Sequence, residues 1–204
     1  MGYSCECYAL RHGALRELIG SGRKEVAGEI IESVDDIFNG DEPEEKWRPA
    51  LRALIAGPRG RALAKAWATG GDGSTLPPVE ASDAEALAIV AMVRFLGDRV
   101  GELGYTSSGG GLFRAIFDPA FRPQQFAVPT LAPLLLQRPL AGLIHHDYPA
   151  WGGWTRAELR AAIGGQIMPA AAPEDSDQQE WLQELADMLL DLQDEKTDLV
   201  TLFV

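Results

Sequence analysis

The stretch Arg138 to Thr155 reads Arg-Pro-Leu-Ala-Gly-Leu-Ile-His-His-Asp-Tyr-Pro-Ala-Trp-Gly-Gly-Trp-Thr and gathers two of the chain's three histidines and two of its five tryptophans. His145, His146 and Asp147 are all metal-capable types. Adjacent side chains on an extended segment point to opposite faces, so at most His145 with Asp147, or His146 alone, can share one centre. Further ligands would have to come from His12, the remaining histidine, or from Cys5 and Cys7, the only thiols. No metal or cofactor is expected on this pattern. Two other readings stand. In one, a histidine packs on a tryptophan and bonds a backbone carbonyl while Asp147 caps the Pro149 turn. In the other, Trp151 and Trp154 wall a pocket in which Arg138, Arg156 and the amides opening a helix after Thr155 meet an anionic or polar ligand.

The remaining polar clusters are less specific. Cys5 and Cys7 lie two apart on a predicted strand, which disfavours a disulfide between them, and no second Cys pair completes a thiolate zinc site. Thr106-Ser107-Ser108-Gly109-Gly110-Gly111 could offer amides to a phosphate, but it lacks the Gly-Lys-Ser/Thr ending of a P-loop and follows a predicted helix. It reads as a connection. No Gly-x-Ser-x-Gly elbow marks a hydrolase. Asp187, Asp191, Asp194 and Glu195 form an acidic stripe on the last predicted helix, either a solvated face or a docking surface for a basic partner. The Asp41 to Glu45 run has the same two readings.

The elements that must position these residues begin with a strand at Tyr3 to Leu10, where alternation sets Tyr3, Cys5, Cys7 and Ala9 on one face. Helices are predicted over Ala14 to Ile19, Lys24 to Phe38, Trp47 to Ala56 and Arg61 to Ala68, with Asn39-Gly40, Gly57-Pro58 and Gly70-Gly71 as stops. Ser82 and Glu85 have capping-box spacing and open a long helical pattern from Asp83 to Leu103. A short helix is expected within Phe126 to Gln137. Thr155 and Glu158 repeat the capping-box spacing, so a helix should spring from a Trp-Gly-Gly-Trp turn. A last helix runs from Asp177 to about Glu195, and Asp198 to Val204 suits a buried strand. The fold class is therefore α+β: one mainly helical domain over residues 1–204, with a small sheet built from the N- and C-terminal strands and a third strand near Leu140 to Ile144.

Composition bounds the function. Of 204 residues, 46% are hydrophobic and 24% charged, the balance of a folded globular chain. The longest apolar run, Phe126 to Leu136, is broken by prolines and falls short of the roughly 20 residues that span a bilayer. The opening residues lack a basic stretch followed by an apolar one, so a cytoplasmic location is expected. Thirty acidic against 18 basic residues give a net charge of -12, which repels nucleic acid and anionic lipid and would steer a basic protein inward.

Several short stretches also resemble bacterial YfbM-like (DUF1877) and DUF7691-type domains. They are the Met1-Gly2-Tyr3 start, Trp47 with Leu54-Ile55-Ala56-Gly57, Tyr148-Pro149 with Trp151-Gly152-Gly153-Trp154, and the closing Asp198-Leu199-Val200. They span about a quarter of the chain and include no catalytic motif, while the Gly109 to Gly111 region departs from both groups. The resemblance implies an α+β fold. Together with the charge, the expectation is a non-catalytic acidic module, immunity- or antitoxin-like, that binds a basic protein. The alternative is an enzyme or a small-molecule or metal-binding protein using the His145 turn.

Overall fold

The computed structural model describes residues 2–34, 44–69, 78–107, 132–159, 187, 188, 192 and 197–204. The chain divides into two compact units, each made of separate stretches. Met1–Leu10, Asp98–Arg138 and Ala150–Val204 form a sheet unit; Arg11–Gly97 and Pro139–Pro149 form a helical unit. The fold is α+β, as the sequence pattern predicts.

In the sheet unit four strands lie in the order β3-β1-β6-β5, every neighbour antiparallel. They are β1 (Gly2–Leu10), β3 (Asp98–Ser107), β5 (Ala150–Trp154) and β6 (Asp198–Phe203). The two terminal strands do pair, Cys5 opposite Phe203 and Leu10 opposite Asp198. Leu199 to Phe203 are buried without alternation, so β6 is covered on both faces. Thr201, the polar member of that run, donates its hydroxyl to the Leu135 carbonyl at 2.7 Å, tying the short helix α6 (Ala132–Leu135) to the sheet. Cys5 and Cys7 are free thiols at full burial in β1. A hydrogen bond with Cys5, and then burial, push the Cys7 thiol well above its ordinary pKa, so it stays protonated and inert.

Two predicted elements change here. The pattern read as one helix to Leu103 stops at Leu96, and Asp98 to Ser107 is β3. Gly97 ends the helix in extended conformation, and Val100 between Gly97 and Gly101 has little helical propensity, so strand pairing with β1 prevails. The Trp-Gly-Gly-Trp segment is not a turn but strand β5. Trp151 and Trp154 are three apart and so point to opposite faces, and both are buried.

The helical unit holds α1 (His12–Leu18), α2 (Lys24–Val34), α3 (Glu44–Ala56), α4 (Pro58–Thr69) and α5 (Asp83–Leu96). Six consecutive residues of α5, Ala88 to Val93, are buried, which a helix achieves only when surrounded; α1, α2 and α3 pack against it. The remaining elements are β2 (Val79–Glu80) and β4 (Leu143–Ile144), a parallel pair. The strand expected near Leu140 to Ile144 thus exists but does not join the terminal sheet. Ala141 and Gly142 both have positive φ, and that tight turn, closed by reciprocal Leu140 and Leu143 bonds of 2.8 and 3.0 Å, leaves only two residues free to pair with β2.

Candidate functional site

The β2–β4 pair assembles a cleft. Val79 donates its amide to Gly142 at 3.0 Å and Ala81 to Ile144 at 2.8 Å, which holds the entry to α5 against the turn that follows β4. Ser82 caps α5: it accepts from the Glu85 amide at 3.3 Å, while Glu85 accepts from the Ser82 amide at 3.0 Å. Burial opposes the charge on Glu85, but Arg59 and the Ser82 groups outweigh it and hold the carboxyl below its ordinary value. The cap fixes Asp83 at the first helical position.

The resulting cleft, of about 810 Å³, is lined by Glu80, Ala81, Ser82, Asp83, His145, His146 and Asp147. All three residues at the centre of the sequence motif therefore share one site. They do not play equal parts. His145 is buried, while His146 and Asp147 are exposed. Nδ1 of His145 lies 2.9 Å from the Pro149 carbonyl oxygen and 3.0 Å from that of Asp147. Its Nε2 lies 3.3 Å from Oδ1 of Asp83, whose side chain is 94% exposed. Asp147 accepts from the Tyr148 amide at 2.9 Å, at the start of a turn whose Tyr148–Pro149 bond is cis. The histidine-to-carbonyl bond and the Asp147 turn are what the packing reading foresees, yet the cleft beside them belongs to the ligand reading.

Trp151 and Trp154, expected as walls, are buried in β5 of the sheet unit. Arg138 and Arg156 lie in that unit too, and Arg138 is committed there: it donates to both Glu158 carboxylate oxygens and, at 3.0 Å, to the Gly153 carbonyl. Glu158 also accepts from the Thr155 amide and hydroxyl at 2.9 and 2.8 Å, which confirms the second capping box. Burial opposes its charge, but Arg138 and Thr155 prevail and lower its pKa. The Arg156 amide donates to Asp198 at 2.8 Å, so this helix start holds a carboxylate of its own chain.

Of the acidic stripe, Asp187 is exposed on helical backbone; Asp191, Asp194 and Glu195 lie outside the described residues, as do Gly109 to Gly111 and Asp41 to Pro43. Among the described residues no group of three His, Cys, Asp or Glu is placed to hold a metal ion, and no helix is long and apolar enough to cross a membrane. Asp83, Glu80 and Ser82 were missed as site residues. Sequence places them only at and just before the start of a capped helix, 62 residues from His145 in the case of Asp83, and only the β2–β4 pairing brings them to the histidines.

A family model for a domain of unknown function, DUF7691, matches residues 1–204. The chain belongs to DUF7691. No curated protein and no solved structure matches it. The DUF7691 match spans both units and the residues that line the cleft.

Proposed function

We propose that this DUF7691 protein is a non-catalytic binding module whose cleft at the His145 turn receives a basic protein partner. One observation carries the reading: three carboxylate side chains, Glu80, Asp83 and Asp147, converge with two histidines on one concave surface, in a chain of net charge -12. That surface attracts cations and repels phosphate. Asp83 is almost wholly in water, whereas catalysis by charged groups draws its strength from excluding water. Recognition of an exposed ammonium or guanidinium suits the geometry better. Neutralisation of a basic toxin in the cytoplasm, as an immunity protein does, is one activity such a module would perform.

The test is a titration of the labelled protein with a short Arg- and Lys-rich peptide, read by backbone NMR shifts at low ionic strength. Shifts should concentrate at residues 79–83 and 143–149. The double variant Asp83→Asn, Asp147→Asn should weaken binding by about 0.2–1 kcal/mol per charge removed. Shifts spread evenly over the surface would sink the proposal.

A further inference from the structure

The two-stranded sheet beside the cleft has two edges, and the chain closes one of them. On the outer side of β4, Leu143 exchanges both backbone hydrogen bonds with Leu140, at 2.8 and 3.0 Å. On β2, the amides of Val79 and Ala81 donate to Gly142 and Ile144. Alternate residues of a strand turn their backbone groups to opposite sides, so the amide and carbonyl of Glu80 point away from β4. Among the described residues neither meets a partner. This open stretch is short and bounded. Before it, Pro78 offers a carbonyl but no N–H. After it, the Ser82 amide donates to Glu85 and the Ser82 carbonyl accepts from Ala86. Val79 is 37% exposed although apolar, and its side chain lies on the face opposite that of Glu80.

We infer that an extended segment of the basic partner adds to the open edge of β2 as a third strand, with basic residues at alternate positions on the face of Glu80. This deepens the basic-partner reading and rests on it. In an antiparallel pairing the partner residue opposite Glu80 exchanges both bonds with it, and the residue two further on donates to the Pro78 carbonyl. Side chains two apart share a face, so a basic residue opposite Glu80 pairs with its carboxylate, and the residues between the basic ones cover Val79. A second copy of this chain is the poorer occupant. Antiparallel pairing of β2 with itself sets Glu80 directly opposite Glu80, and like charges in that position repel. A basic strand reverses the sign, and the net charge of -12 draws it in.

The decisive experiment is calorimetric titration of the full, unaltered chain at low ionic strength with end-blocked peptides. One is the alternating Arg-Val-Arg-Val-Arg-Val-Arg, and a second is Arg-Arg-Arg-Arg-Val-Val-Val, of the same composition. Two more are the alternating peptide with every arginine amide N-methylated, and with every valine amide N-methylated. In the paired strand the arginine amides face β2 and the valine amides face water. The alternating peptide should therefore bind tighter than the block peptide. Methylating the arginine amides should weaken it at least about fivefold, the worth of one net hydrogen bond, and methylating the valine amides by less than about twofold. Hydrogen exchange at the Glu80 amide should slow in the complex. Equal binding of the alternating and block peptides, or equal effects of the two methylations, overturns the added strand and leaves the basic-partner reading standing. Failure of every arginine peptide to bind removes both. A dimer in sedimentation that the alternating peptide dissociates assigns the edge to a second copy and overturns the inference.

Discussion

Gly142 sets the geometry of the cleft by lacking a side chain. Its φ is +74°, and a Cβ built there would meet Nε1 of Trp67 at 2.5 Å. Gly142→Ala therefore combines left-handed strain with overpacking against an indole, and should cost about 2–4 kcal/mol. The measurement is a urea midpoint with an unchanged slope; a loss under about 0.5 kcal/mol would mean that Trp67 swings aside without cost. Such a residue is not legible in sequence, where Ala141-Gly142 reads as an ordinary part of a predicted strand. His145, His146 and Asp147 were legible, because unusual residue types stand adjacent. The burial of one histidine and exposure of the other was not, since it depends on which carbonyls the turn places behind the ring.

At the scale of elements, legibility followed the strength of the local code. Both capping boxes are found where Ser82–Glu85 and Thr155–Glu158 have the spacing, because the reciprocal bonds need nothing from the rest of the fold. The β1–β6 pairing was foreseeable from alternation at one end and an apolar run at the other. The failures include β3 and β5, strands whose internal glycines, Gly101 and Gly104 in one and Gly152 and Gly153 in the other, break the alternation that would have marked them. The α5 cap also positions Asp83, which makes it testable. Ser82→Ala should cost about 1 kcal/mol of stability and, by loosening the first turn, weaken cation binding at the cleft. A stability loss with binding unaltered would show that β2–β4 pairing alone holds Asp83 in place.

Charge governs the behaviour of the whole chain. Each unit contains a glutamate whose pKa is lowered in the fold, Glu85 in the helical unit and Glu158 in the sheet unit. A lowered pKa means that the unfolded chain takes up the proton first, so this stability is present above the ordinary value of 4.5 and is lost as pH falls through the folded-state values. Replacing both by Gln should lower stability at pH 7 and flatten its acid dependence below the ordinary value of 4.5, read from urea midpoints along an acid titration; an unchanged acid slope would assign it to other carboxylates. The same excess of acid acts at a distance on association. With a net charge of -12, a basic partner is drawn in before contact, and this attraction is screened over about 10 Å at 0.1 M salt and about 3 Å at 1 M. Raising salt from 0.02 to 0.5 M should therefore slow association by at least about tenfold while dissociation, set by short contacts in the cleft, changes less. Neutralising Asp187, outside the cleft, should reduce the on-rate slightly and leave the off-rate alone, whereas Asp83→Asn should raise the off-rate. If both substitutions alter only the on-rate, the cleft attracts its partner without gripping it, and the contact that holds the complex lies elsewhere.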